Sequence, residues 1–139
     1  MKPIYVCGLA ATLLLSSCTS AHPDLAQARQ SLKDYGLARC ILAAMPQASD
    51  MYSDFSAASH ALHFMGRGFH QIKQDEDTLE VTHDPYQLID TFVRQAYPES
   101  LTHTKAKGEN VFLSCLAVYH LEEYDRLVRA QDEYIDLTR

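Results

Sequence analysis

Apolar residues recur at steps of three and four along almost the whole chain beyond residue 24, in four stretches separated by proline or by polar runs. That period places each stretch's apolar side chains on one face of an α-helix. The first stretch runs from Asp24 to Met45 through Leu25, Ala28, Leu32, Tyr35, Ile41 and Leu42, and Pro46 ends it. Gly36 weakens its middle, so its ordered part is expected from about Ser31. The second is expected from about Asp50 to Ile72, through Met51, Phe55, Ala58, Leu62, Met65 and Phe69, with Gly66 and Gly68 marking a bend or a close helix contact. Asp84-Pro85 opens the third, since aspartate caps and proline is tolerated at the first helical position. Its apolar positions are Leu88, Ile89, Phe92 and Ala96, and Pro98 closes it. Asn110 caps a fourth, expected to run unbroken to about Arg129 with Val111, Phe112, Cys115, Leu116, Tyr119, Leu127 and Val128 on its apolar face. Leu79-Glu80-Val81-Thr82 has extended character, but no partner strand is evident, and the acidic run around it reads as a loop. The expected fold class is all-α: a compact bundle of about four helices. A chain of 139 residues, 47% apolar, has room for one such domain with a real core.

The first residues follow a different rule. Met1 to Ser17 carry one charge, Lys2, followed by an apolar run from Ile4 to Leu15 that is too short for a typical membrane span. This is the layout of a secretory signal. Leu15-Ser16-Ser17-Cys18 resembles the bacterial lipoprotein cleavage box, which implies acylation of Cys18, and Thr19 after it resembles outer-membrane sorting. The competing assignment is an ordinary signal cut near Ser20-Ala21, with Cys18 lost. Both imply export. The expected plan is a signal over residues 1–17, a flexible tether over 18–30, a helical domain over 31–130 and a tail over 131–139.

Export simplifies the cysteines. Cys7 lies in the signal and Cys18 is lipidated or removed, leaving Cys40 and Cys115. In an oxidising compartment these two allow one intramolecular bridge, from the first helix to the last. Closing so long a loop stabilises by about 4 kcal/mol in the chain-entropy account. A thiol nucleophile and a metal ligand are the competing roles. The net charge of −6 gives no electrostatic footprint for nucleic acid and suits a neutral or basic protein partner.

Signals for chemistry are weak. His60 and His63 are spaced to share a helical face, yet no HExxH, CxxC or glycine-rich phosphate loop accompanies them. Cys40 with His120 has the residue types of a thiol–imidazole pair but no local signature. Asp75, Glu76, Asp77 and Glu80 lack the alternation and glycine of a calcium loop. With no metal, cofactor or catalytic set in view, a binding or inhibitory role is expected before an enzymatic one.

Several segments in order resemble a known family. They are Leu37-Ala38-Arg39-Cys40-Ile41, Ser56-Ala57-Ala58-Ser59-His60-Ala61-Leu62, Leu88-Ile89-Asp90-Thr91-Phe92-Val93 ahead of Tyr97, and Gly108 to Arg129 with Val111-Phe112-Leu113-Ser114-Cys115-Leu116. Over roughly residues 31–129 the chain resembles the periplasmic immunity proteins of type VI secretion amidase toxins, specifically their all-helical fourth group; residues 66–84 depart from it in being longer and more polar. The resemblance implies a helical, commonly dimeric protein that binds a cognate peptidoglycan-cleaving Cys-His amidase and blocks its groove with a protruding loop. The best-matching position for that loop is Glu99, Ser100, Leu101, Thr102, His103, Thr104, Lys105, Ala106 and Lys107. It also implies a periplasmic protein, held to the membrane only through a lipid anchor. The alternative is a cell-envelope lipoprotein acting as an adaptor or assembly factor, with no toxin partner.

Overall fold

A computed structural model describes residues 24–103 and 108–138. The signal, Cys18 and residues 104–107 of the expected loop lie outside the described residues. Five α-helices, α1 (Leu25–Ala44), α2 (Tyr52–Leu62), α3 (Pro85–Ala96), α4 (Val111–Tyr119) and α5 (Glu122–Arg129), surround one core, with a small hairpin of β1 (Lys73–Gln74) and β2 (Val81–His83). Among the described residues no helix is long and apolar enough to cross a membrane.

The longest helix, α1, is central and packs against α2, α3, α4 and α5. It begins at Leu25, not near Ser31, so residues 25–30 are helix and not tether. Three interactions explain the earlier start: Asp24 accepts a hydrogen bond from the Gln27 amide, Ala28 is fully buried, and Arg29 pairs with Asp132 near the other end of the chain. Gly36 does not weaken the helix; it admits its neighbours. A Cβ there would lie 1.9 Å from the Tyr124 hydroxyl and 2.6 Å from Ile89 Cγ2. Leu32, Tyr35 and Ile41 of α1 meet Tyr86, Ile89 and Val93 of α3, Val118 of α4 and Tyr124 and Val128 of α5 in one buried cluster.

Three expected elements differ. The second helix stops at Leu62 and not at Ile72. Beyond it the chain turns tightly: the amides of Gly66 and Gly68 both bond the His63 carbonyl, and that of Arg67 bonds the Ala61 carbonyl. A Cβ on Gly68 would meet the Tyr86 hydroxyl at 2.2 Å, so the backbone passes directly over α3. The extended piece at residues 81–83 does have a partner, Lys73–Gln74, in antiparallel register with a shift between those two residues. The turn between them is built by Asp75, whose carboxylate accepts from the amides of Asp77 and Thr78, with Leu79 at φ 60°. The fourth helix is two, broken at His120–Leu121, where Leu121 takes an extended conformation. Glu122, Glu123 and Asp125 then fill the first turn of α5, and Arg126 and Arg129 its last, matching the dipole of a helix that starts there.

The tail is docked rather than frayed. Asp132–Tyr134 form a 3-10 turn, Gln131 is buried, and the Gln71 and Asp136 amides bond the Tyr134 and Phe69 carbonyls at 2.7 Å each. Tyr134 stacks on His83 at 3.7 Å between ring centroids, tying the tail to the hairpin.

Candidate functional site: the loop between α3 and α4

The C-terminal end of α3 continues into a 3-10 turn, Tyr97–Ser100, because Pro98 lacks the amide that a further α-helical turn requires. The connection to α4 runs from Leu101 to Asn110. Both ends are fixed. The Thr102 amide donates to the Ser114 hydroxyl at 2.8 Å, and the Asn110 amide donates to the Thr102 carbonyl at 2.8 Å. His103 and Glu109 form an antiparallel bridge, and the Tyr97 hydroxyl donates to the Glu109 carboxylate. Burial and that carboxylate push Tyr97 up to about 12, which keeps the donor protonated. The described ends of this connection, Thr102–His103 and Glu109–Asn110, are therefore held side by side.

Its footing is rigid. Asn110 caps α4 by accepting from the Leu113 amide at 3.0 Å, and Cys115, one residue past Ser114, is bonded to Cys40 of α1. The bridge has an S–S distance of 2.06 Å, and both cysteines are buried. This pairing removes both thiols from nucleophilic chemistry and from metal binding. On the other side, Asp90 of α3 accepts from Arg39 of α1 at 2.7 Å and from Arg94 at 2.9 Å. Burial raises the Asp90 pKa, but the two arginine hydrogen bonds outweigh it and hold the carboxyl below its ordinary value.

Next to the two ends in sequence are three large apolar side chains exposed to solvent: Leu101 at 41%, Phe112 at 53% and Leu113 at 46%. Phe112 was expected on the buried face of its helix; it points out because Ser114, Cys115 and Val118 take the inward positions of α4. An open cavity of about 380 Å³ is lined by Phe92, Gln95, Ala96, Glu99, Leu121 and Glu123. Its lining combines the apolar Phe92, Ala96 and Leu121 with the carboxylates of Glu99 and Glu123.

The other expected residues do not assemble into a reactive site. His60 is exposed on α2, whereas His63 lies past the helix end with its ring 4.5 Å from Tyr86. No three histidine, cysteine or acidic side chains are grouped to hold a metal among the described residues. The acidic run at 75–80 caps the hairpin turn and faces solvent. Residues missed by spacing alone are Ser114, whose partner is twelve positions away, and Leu113, which lies off the buried face of α4 formed by Ser114, Cys115 and Val118.

The model of the Tai4 family, described as type VI secretion system (T6SS) amidase immunity protein, matches residues 30–128. No curated protein and no solved structure matches the chain. The matched region runs from α1 into α5 and includes both bridged cysteines and the whole connection between α3 and α4. Covering well over half of the sequence, the match shows that the chain belongs to the T6SS amidase immunity protein family, whose members are inhibitors and not enzymes.

Proposed function

We propose that this protein binds a cognate peptidoglycan amidase in the periplasm and inhibits it by seating residues 99–107 in the enzyme's groove. The observation that supports the mechanism is the pair of bonded ends at Thr102 and Asn110, with Leu101, Phe112 and Leu113 exposed beside them in sequence. A groove blocker needs shape, a few apolar anchors and little ordering cost, and requires no chemistry of its own. The disulfide and the capped α4 supply the stiffness. A net charge of −6 favours encounter with a basic enzyme surface. Export through the N-terminal signal, with acylation at Cys18 and outer-membrane anchoring, would hold the inhibitor where peptidoglycan is cut, and self-association into a homodimer belongs to the same proposal.

The test is to express the amidase encoded beside this gene in the periplasm, with and without this protein, and to follow lysis and co-purification. Rescue with a stable complex is expected. Continued lysis with both proteins exported, folded and unbound would contradict the proposal. Anchoring is read separately: Cys18→Ala is expected to abolish incorporation of labelled fatty acid and release the chain from the membrane fraction.

A further inference from the structure

Residues 69–71 and 134–136 run side by side. His70 bridges Ile135 in antiparallel sense, and on either side of it the Gln71 and Asp136 amides donate to the Tyr134 and Phe69 carbonyls at 2.7 Å each. Opposed residues of such a pair share a face, so the Ile135 side chain lies beside the His70 ring. The two sides are not equally fixed. His70 is fastened to α3, where the Tyr86 hydroxyl accepts from its amide and donates to its carbonyl, both at 3.2 Å. The facing residues belong to the tail, which is also held by Arg29 at Asp132, by Gln71 at Asp136 and by His83 at Gln131 and Tyr134.

At this junction His70 is 1% exposed, and neither ring nitrogen has a hydrogen-bond partner among the described residues. Burying an imidazole without partners costs free energy, and burying its charged form without an acceptor costs far more. The surrounding polar groups are engaged elsewhere. On the tail, Asp132 pairs with Arg29 of α1, with Arg129 of α5 also near it, and Asp136 accepts from Gln71. Lys73 of β1 donates to Gln71, His83 of β2 stacks on Tyr134, and His63 beyond α2 packs on Tyr86. Burial accordingly lowers the ring's pKa to about 4, with Asp132 pulling the other way.

We infer that His70 is an acid-sensitive latch: below about pH 6 a proton on its ring releases residues 131–138 from the body as a unit, while the helices stay folded. With the tail released the ring meets water and regains an ordinary pKa of about 6.5. The released form therefore takes the proton first. Docking is fully favoured above about pH 6.5 and loses ground as the pH falls toward 4. At about pH 5 release is favoured about thirtyfold more than at neutral pH. The latch is independent of how an amidase is bound.

The experiment follows hydrogen exchange of the wild-type chain, free of any partner, by NMR at about pH 7.5 and about pH 5, with and without low urea. Protection of the Gln71 and Asp136 amides is expected to fall by about thirtyfold between the two, with little dependence on urea. Core amides of α1 and α3 are expected to keep the full urea dependence of global unfolding. His70→Phe is expected to leave protection at Gln71 and Asp136 the same at both pH values. The double variant His63→Gln/His83→Gln is expected to keep the fall. Constant protection in the wild type, or an undiminished fall in His70→Phe, would overturn the latch. So would a urea dependence at Asp136 equal to that of the core, since the tail would then open only with the whole molecule. Should His70→Phe fail to fold, the double variant decides: loss of the fall there would assign it to another histidine and overturn the latch.

Discussion

Gly36 shows how far one residue sets this fold. In a helix interior, glycine costs about 1 kcal/mol relative to alanine, which by propensity alone recommends replacing it. Here the missing Cβ is what lets the Tyr124 hydroxyl approach α1 and donate to the Lys33 carbonyl at 3.0 Å. Gly36→Ala is therefore expected to destabilise by about 1–3 kcal/mol despite its better propensity, as overpacked cores do; equilibrium denaturation measures it. His70 makes a second test at this scale. Its ring is buried, neither nitrogen has a hydrogen-bond partner among the described residues, and Tyr86 lies edge-on to it. Burial lowers its pKa to about 4, with the Asp132 carboxylate pulling the other way. A depressed histidine pKa means the unfolded chain binds the proton first. Stability is therefore complete above about pH 6.5 and declines as the pH falls from there toward 4, by about 3 kcal/mol in all. His70→Phe is expected to flatten that part of the pH–stability curve.

Among the elements, α3 was fully legible, because its signals are local: Asp84 accepts from the amides of Tyr86 and Gln87, and Pro85 sits in the first turn. Its buried face is less so: of the expected Leu88, Ile89, Phe92 and Ala96 only Ile89 is fully buried, together with Tyr86 and Val93. The ends of α2 and α4 were not legible. Met65, Phe69 and Ile72 continue the helical spacing past Leu62, yet Met65 is 82% exposed and the two glycines turn the chain over α3. At His120–Leu121 no proline or glycine marks the break, and only the acid-to-base order of α5 hints at a new start. The hairpin was hidden because its first strand is the polar pair Lys73–Gln74, which has no alternating pattern. Least legible was the docking of the tail, which depends on contacts far apart in sequence. Arg29 Nε donates to Asp132 at 2.8 Å, and the backbone of His70 bridges Ile135. Deleting residues 131–139 is expected to destabilise by about 2 kcal/mol or more, since it exposes His70 and leaves Arg29 without that carboxylate. The unfolding midpoint in urea checks this.

For the molecule as a whole, the sequence revealed the class of fold and the pairing of Cys40 with Cys115, because helical period and cysteine arithmetic are global properties. What holds the two ends of the connection between α3 and α4 was not legible, since the Thr102–Ser114 and Tyr97–Glu109 bonds join positions that no spacing rule connects. The disulfide spans 75 residues and ties the central helix to the helix that carries the loop's outgoing end. Replacing both cysteines with alanine is expected to cost about 2–5 kcal/mol, and to weaken inhibition at temperatures where the variant is still folded, because α4 loses its fixed attachment to α1. Circular dichroism together with an inhibition assay separates the two effects.

The central claim is that the segment between α3 and α4, its ends held on a bridged helical frame, blocks the amidase. The most direct measurement is a titration of purified amidase, cleaving peptidoglycan, with the wild-type chain and with Leu101→Asp, which places a charge at one of the exposed apolar side chains next to the segment's ends. The account predicts complete inhibition near one equivalent of wild type, and inhibition weakened by about 1.4–4 kcal/mol in the folded variant, that is tenfold to nearly a thousandfold. Equal inhibition by the two, or full cleavage in the presence of excess folded wild type, would contradict it.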